Sequence, residues 1–300
     1  MADTDLQNED RRQVCFIGLG VMGAPMAGHL ATAGLQVAVY NRSRGKAEAW
    51  LRAHPGHSIV ELRDARKMST IISCVGNDQD LSDIYLGDEG LLAHLPAGAL
   101  VIDHTTASAD IARQLNSAAE ARGIGFIDAP VSGGQQGAIN GALTVMCGGQ
   151  EPHFRQAQAI IEHYAKMARL LGPAGSGQLT KMANQIAIAG LIESLAESIH
   201  FATVAGLDEH AVIEVISKGA AQSWQMENRH DSMIRGDYEH GFAVDLMRKD
   251  LAICLDEARR NGAHLPVAAL VDQFYGEVQQ LGGGRWDTSS LLSRFSSRKD

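Results

Sequence analysis

The chain has 300 residues, 45% of them hydrophobic, and 35 acidic against 26 basic side chains give a net charge of −9. That length exceeds the usual size of a single core, so two domains are expected. The acidic balance argues against nucleic acid or an anionic membrane as partner, and Cys15, Cys74, Cys147 and Cys254 are too widely spaced for a disulfide framework or a metal site, which favours buried thiols in a reducing, cytoplasmic setting.

Residues 1–12 are acidic and polar, unlike a signal or transit peptide, and read as a disordered tail. From residue 13 to residue 173 the apolar runs "VCFIG", "QVAVY", "STIISCV", "ALVID", "GIGFID" and "LTVMCGG" read as strands, with helical patterns between most of them. Such alternation predicts an α/β domain built on a Rossmann-like, doubly wound parallel sheet. After Gly172–Gly177 the strands stop. A long helix is predicted over Gln178–Ala205, closed by Gly206, with shorter helices near Asp208–Lys218, Trp224–Ile234, Asp245–Asn261 and Pro266–Leu281. "LGGGRWDTSS" then reads as a loop ahead of a short terminal helix. Residues 174–300 are therefore expected to form an all-helical domain that opens with the long helix. No uninterrupted apolar run reaches the ~18 residues of a membrane span. The long helix carries apolar residues on more than one face, among them Ile186, Leu191, Ile192, Leu195, Ile199, Phe201 and Val204, and so should be covered nearly all round, by a second copy of the chain or, in the plain alternative, by the core of a monomer.

Gly18, Gly20 and Gly23 form G-x-G-x-x-G between the first strand and the first helix, with Leu19, Val21 and Met22 between them. The first glycine permits a tight turn, the second lets a pyrophosphate reach the backbone, and the third lets helix and strand pack closely; a dinucleotide site is expected. At the end of the second strand, where an NAD site places an acid, the chain reads Tyr40, Asn41, Arg42, Ser43 and Arg44. Arg42, supported by Asn41 and Ser43, suits a 2′-phosphate, and no anionic residue stands in this stretch to repel one, so NADP is expected ahead of NAD. The plain alternative is two solvated arginines beside a serine that caps the next helix.

"FIDAPVSGG" leaves a strand through a loop in which Ser132, Gly133 and Gly134 present donors to a small anion. "GSGQLTKMANQ" puts Lys181 near the start of the long helix with Asn184 and Gln185 one turn on. A lysine, an amide and a serine loop suit proton transfer on an oxygen beside a carboxylate. Taken singly, each also has a bland reading as an ordinary turn or a surface side chain. The twelve histidines show no clustered ligand spacing, and His104, the one nearest a motif, reads as structural or cleft-lining.

"GLGVMGAPMAGHL", "DAPVSGGQQGAINGALTVMCGG", "GSGQLTKMANQ" and "FAVDLMRKDL" together resemble the motifs of the β-hydroxyacid dehydrogenase family, in order over residues 14–254. The resemblance implies a Rossmann domain followed, through a long interdomain helix, by a helical domain for substrate binding and oligomerisation that packs into a homodimer or homotetramer. It also implies hydride transfer between NADP(H), or NAD(H), and a small 3-hydroxy acid or aldehyde acid, with no metal. It assigns the catalytic lysine to Lys181, substrate binding to Ser132, Gly133, Gly134 and Asn184 or Gln185, and cofactor contacts to Val75, Thr106 and Lys249. Where many members carry Asn-Asn, this chain has Asn184-Gln185. An imine reductase, a 6-phosphogluconate dehydrogenase and a catalytically silent NADPH-binding scaffold are the rival readings; Lys181 counts against the first and the length of the helical part against the second.

Overall fold

A computed structural model describes residues 13–296; the expected tail, residues 1–12, lies outside the described residues. Nine strands form the sheet: β1 Gln13–Ile17, β2 Gln36–Tyr40, β3 Ser58–Ile59, β4 Thr70–Ser73, β5 Leu100–Asp103, β6 Gly125–Asp128, β7 Val131–Ser132, β8 Leu143–Gly149 and β9 Ala165–Leu170. The helices among them are α1 Gly23–Thr32, α2 Arg44–Ala53, α3 Leu62–Ala65, α4 Asp78–Tyr85, α5 Ala109–Glu120, α6 Gly134–Ile139 and α7 Glu151–Ile161. The strand order is β3-β2-β1-β4-β5-β6-β8-β7, with β9 also paired to β8. The first six strands in that order are parallel, as in a dinucleotide-binding double winding, and its switch point falls between β1 and β4. β8 runs antiparallel to β6 and β7 and parallel to β9.

The central strands are apolar without interruption because both faces of the sheet are covered. Val14 and Phe16 of β1 pack in one layer with Met26 and Leu30 of α1, while Cys15 and Ile17 pack in the other with Tyr85 of α4 and Leu115 of α5. β3, β7 and β9 escape sequence reading. The first and second are two residues long, and β9, "AKMARL", is a half-exposed strand whose side chains show no apolar run.

The chain divides into two compact units, one up to Lys181 and one from Met182, and the division falls inside α8, Ser176–Val204. The second unit continues with α9 Glu209–Ile216, α10 Trp224–Arg235, α11 Val244–Asn261, α12 Pro266–Gln280 and α13 Ser293–Ser296. The segment read as a loop after α12 is two short 3-10 turns, Gly283–Arg285 and Thr288–Leu292. The helical core gathers Ile192, Leu195 and Ile199 of α8 with Met233 of α10, Met247 of α11 and Tyr275 of α12.

Among the described residues α8 is the one helix long and apolar enough to cross a membrane by length and composition. Its burial in the helical core and its charges give it another role. Glu193, 7% exposed, pairs with Arg294 at 2.9 Å, and that guanidinium lies 3.5 Å from the Phe274 ring centroid. The expected cover on every face is not met within one chain: Leu191, Phe201 and Val204 are exposed. The stripe is broad enough that one core takes only part of it.

At the C-terminal end of β5, Asp103 and His104 are both buried. Asp103 Oδ1 accepts from the Ser73 hydroxyl at 2.7 Å, the Thr105 hydroxyl at 2.7 Å and the Thr105 N–H at 3.1 Å. His104 is structural: Nδ1 lies 2.6 Å from the Ala129 carbonyl and Nε2 lies 2.8 Å from the Tyr164 hydroxyl. The neutral ring thus donates through Nδ1 and accepts through Nε2. Burial pushes the Asp103 carboxyl from 3.8 up to about 7, against the pull of its Thr105 and Ser73 hydrogen bonds, and drives His104 from 6.5 down to about 4.

These neighbours act on stability with opposite signs. The raised Asp103 value stabilises the fold below pH 4 and that contribution fades as pH rises to 7, whereas the lowered His104 value stabilises it above pH 6.5 and fades as pH falls to 4. In the Asp103→Asn variant only the histidine effect remains. Its stability relative to the native chain should climb between pH 4 and 7 by as much as ~4 kcal/mol, the three-unit shift converted at 1.36 kcal/mol per unit. Denaturant unfolding across that range checks this, and parallel curves for the two proteins would refute it.

Candidate active site

The turn from β1 into α1 holds the three glycines in three different situations. Gly18 sits at φ +96°, and its N–H donates to the Tyr40 carbonyl at 2.9 Å. A Cβ on Gly18 would strike the Cys74 carbonyl and one on Gly23 would strike the Gly18 carbonyl, whereas a Cβ on Gly20 would meet no protein atom within 4 Å. The fold itself requires the first and third glycines. The second faces open space, as a pyrophosphate cradle at a helix start needs. Leu19 is buried, Met22 packs against the core, and Val21 is exposed. Asn41 braces the loop: its Oδ1 accepts from the Leu19 N–H at 2.8 Å and its Nδ2 donates to the Ser43 carbonyl at 3.0 Å.

Beyond β2, Tyr40, Asn41, Arg42, Arg44, Ile59 and Glu61 line a cavity of about 210 Å³. Here the sequence expectation needs correction, because acids absent from the stretch after β2 are brought to it by the fold. Asp80 of α4 pairs with Arg42 at 3.1 Å, and Glu61 pairs with Arg44 at 3.1 Å. Asp80 also accepts from the Gly76 N–H at 3.1 Å, which ties it to the loop that leads into α4. Ser43 occupies the position before α2 without a side-chain capping bond.

Val75 and the loop after β5 are linked: the Val75 N–H donates to the Thr105 hydroxyl at 3.0 Å, the same hydroxyl that donates to Asp103. Thr106 follows, half-buried, on this loop. The loop is also tied to α8, since the Ala107 N–H donates to Gln178 Oε1 at 3.0 Å and Gln178 Nε2 donates to the Thr105 carbonyl at 2.7 Å. The start of α8 is held by Asp128, at the end of β6, whose two carboxylate oxygens accept from the Gly175 N–H at 2.8 Å and the Gln178 N–H at 3.0 Å. Burial raises the Asp128 carboxyl, and the backbone N–H bonds of this helix start pull it back. One turn on lies Lys181, only 8% exposed. Ser132 ends β7, paired with Thr144 of β8, and Gly133 and Gly134 follow at φ +129° and +62°. α6 is secured at its far end by His29 of α1, whose Nε2 lies 3.0 Å from the carbonyls of Ala138 and Ile139.

Within the helical unit, Asn184 Nδ2 donates to Gln185 Oε1 at 2.8 Å, and Gln185 Nε2 donates to Asp250 Oδ2 at 2.7 Å. Lys249 Nζ lies 3.3 Å from Asp250 Oδ1. Gln185 is 3% exposed and Asn184 half-buried. The structure therefore gathers Asn184, Gln185 and Lys249 around Asp250. Sequence reasoning missed Asp128, Gln178 and Asp250 although all three stand inside the quoted motifs, because their work is to accept or donate across the fold.

Residues 13–172 match the family described as the NAD binding domain of 6-phosphogluconate dehydrogenase, and residues 175–295 match the NAD-binding family of NADP-dependent 3-hydroxyisobutyrate dehydrogenase. The chain belongs to the β-hydroxyacid dehydrogenase family. It is 59% identical over 288 residues to an uncharacterized oxidoreductase of Shewanella frigidimarina, covering 96% of this chain and 99% of that one. An NAD-dependent L-serine dehydrogenase of Pseudomonas aeruginosa is 32% identical over 292 residues, covering 95% and 98%. The solved 3-hydroxyisobutyrate dehydrogenase of Mycobacterium tuberculosis with L-serine superposes at a TM-score of 0.86 with 28% identity, covering 94% of this chain and 98% of that one. As a β-hydroxyacid dehydrogenase the chain is an NAD(P)-dependent oxidoreductase.

The glycines of this dehydrogenase should separate folding from cofactor binding. Gly20→Ala should change stability by less than ~0.5 kcal/mol, as for a surface substitution away from any clash, yet weaken binding of the nicotinamide cofactor, NADPH or NADH, at least ~10-fold. Gly18→Ala should lose several kcal/mol, on the order of 3, because the backbone conformation and the Cys74 carbonyl both reject a side chain. Thermal unfolding and NADPH fluorescence titration distinguish the two; equal loss of stability in both variants would refute the assignment.

Proposed function

We propose that this enzyme transfers hydride between NADP(H) and a small 3-hydroxy acid or its aldehyde acid, with Lys181 as general acid and base. The observation that carries the reading is a lysine 8% exposed, one turn into a helix whose start is pinned by Asp128 and Gln178. A bound nicotinamide cofactor supplies or accepts the hydride. In reduction the Lys181 ammonium donates a proton to the oxygen of the carbonyl as it becomes an alcohol; in oxidation the neutral amine takes the hydroxyl proton. Ser132 and the amides of Gly133 and Gly134 hold the substrate carboxylate, which removes the unreactive poses a flexible short acid otherwise samples. Asn184 faces the substrate in preference to Gln185, whose amide is committed to Asp250. Gly18, Gly20, Gly23 and their intervening residues, with Val75, Thr106 and Lys249, hold the cofactor.

NADP is preferred because Arg42 remains 86% exposed in its ion pair with Asp80. Such a surface pair is worth at most ~1 kcal/mol, so a 2′-phosphate dianion can compete for the guanidinium. The NAD-dependent relative marks the opposite outcome. L-serine and 3-hydroxyisobutyrate, named for relatives, share a primary hydroxyl on the carbon next to the one bearing the carboxylate. A panel of these two with glyoxylate, succinic, tartronate and methylmalonate semialdehydes defines the substrate by kcat/KM, and a scaffold would consume no cofactor with any of them. Lys181 also weighs against an imine reductase. A homodimer or homotetramer fits the exposed Phe201, Val204 and Val215 of the helical unit, 72%, 74% and 73% exposed. A cytoplasmic setting fits four cysteines none of which forms a disulfide.

Lys181→Ala should lower kcat by ~10²–10⁴-fold, the usual contribution of a positioned acid or base, with NADPH affinity nearly unchanged. Steady-state kinetics with cofactor titration check this, and a native kcat in the variant would end the proposed role. Arg42→Asp should cost NADPH one to two decades of affinity, about 1.5–3 kcal/mol for a charge-assisted contact, while sparing NADH. Equal affinity of the native enzyme for both cofactors would overturn the preference.

A further inference from the structure

Two histidines twenty positions apart in sequence meet on the surface of the helical unit. His210 stands on the first turn of α9, and His230 and Asp231 stand together on α10. His210 Nδ1 is 3.4 Å from Asp231 Oδ1, and His230 Nε2 is 3.5 Å from that same oxygen. All three ligand atoms lie within 4.8 Å of one another. We propose that His210, His230 and Asp231 bind one divalent transition-metal ion of the zinc type, clamping α9 to α10.

The hydrogen bonding of His230 sets up this chemistry. Its Nδ1 lies 2.8 Å from the Met226 carbonyl, which can only accept, so Nδ1 carries the proton and the lone pair of the neutral ring is on Nε2. That lone pair faces a carboxylate oxygen, acceptor against acceptor, and a cation between them converts the opposition into two bonds. A ring whose far nitrogen donates to a backbone carbonyl is also the usual orientation of a metal-bound histidine. His210 is fixed too, because Asp208 caps α9 by accepting from the His210 N–H at 2.9 Å and the Ala211 N–H at 3.1 Å.

The spacing fits the ion. Zinc held at ~2.0–2.1 Å by nitrogen and oxygen in a tetrahedron separates its ligand atoms by about 3.3 Å. The distances of 3.4 and 3.5 Å already have that length, and the His210–His230 edge closes by rotation of the half-exposed His210 ring. Two imidazoles and one carboxylate select zinc, cobalt, nickel or copper over magnesium and calcium, which take oxygen ligands. His210 and Asp231 are about half exposed, so water completes the shell. The neighbouring cation, Arg229, is turned elsewhere, 3.3 Å from Asp287 and stacked over Trp224. Sequence spacing could not show this site, because its ligands come from two helices.

The test uses untagged, full-length protein stripped with a chelator and titrated with zinc chloride in a calorimeter. The native chain should take up one ion at this site, and His210→Ala and His230→Ala should each weaken that uptake at least ~10-fold while unfolding without metal at the native temperature. Cobalt should give the visible absorption of a tetrahedral site in the native chain and not in His230→Ala. Zinc should raise the melting temperature of the native chain alone. Zinc uptake that is the same in the native chain and in both variants would overturn the proposal, as would no stoichiometric uptake by the native chain; magnesium binding as tightly as zinc would overturn the assignment of the ion.

Discussion

The carboxylate of Asp128, buried at the end of β6, accepts the backbone N–H groups that open α8, and the placement of Lys181 depends on it. A buried acid is costly when ionised. Here its cost is offset by donors that an α-helix leaves unpaired at its start, and by the positive end of the helix dipole. The arrangement satisfies both partners at once. α8 has 29 residues and so runs ~43 Å at 1.5 Å per residue, and Asp128 holds its origin within the first unit. Gln178 supplies a second fixed point by holding the loop after β5 from both ends of its amide.

The buried strands and the longer helices were legible because burial leaves its mark in the sequence, as an apolar run in a strand and as a period in a helix. "VCFIG" is continuous where β1 is covered on both faces, and α10 ends near the residue that composition suggested because Gly236 adopts the left-handed cap. The glycine loop was legible for a related reason: two of its three glycines answer to backbone collisions within the fold. What was not legible has no period. β9 is a half-exposed strand of mixed polarity, and Asp80 reaches Arg42 from thirty-eight positions away. Asp128 and Asp250 look like ordinary motif letters until the fold shows which amides and ammonium groups they face. Local pattern reports solvent exposure well and reports charge partners poorly, since a charge partner is chosen by topology.

His104 shows the same limit from the other side. A histidine beside a cofactor-binding loop invites a chemical role, yet its two ring nitrogens are occupied by the Ala129 carbonyl and the Tyr164 hydroxyl, which tie the end of β5 to its neighbours. His104 is therefore spent on holding backbone, and the proton transfer proposed above is assigned to Lys181 instead.

Asn41 has a consequence for how cofactor choice can change in this chain. Its carbonyl grips the glycine-rich loop at Leu19 and its amide grips the chain at Ser43, so the turn that would meet a pyrophosphate and the turn that would meet a ribose are one mechanical part. An aspartate there would still accept from Leu19 but would have nothing to donate to Ser43. A change of dinucleotide preference made through this position would slacken the joint as well as alter the charge. Selectivity and stiffness are therefore inherited together here, and a lineage that changes the first must rebuild the second.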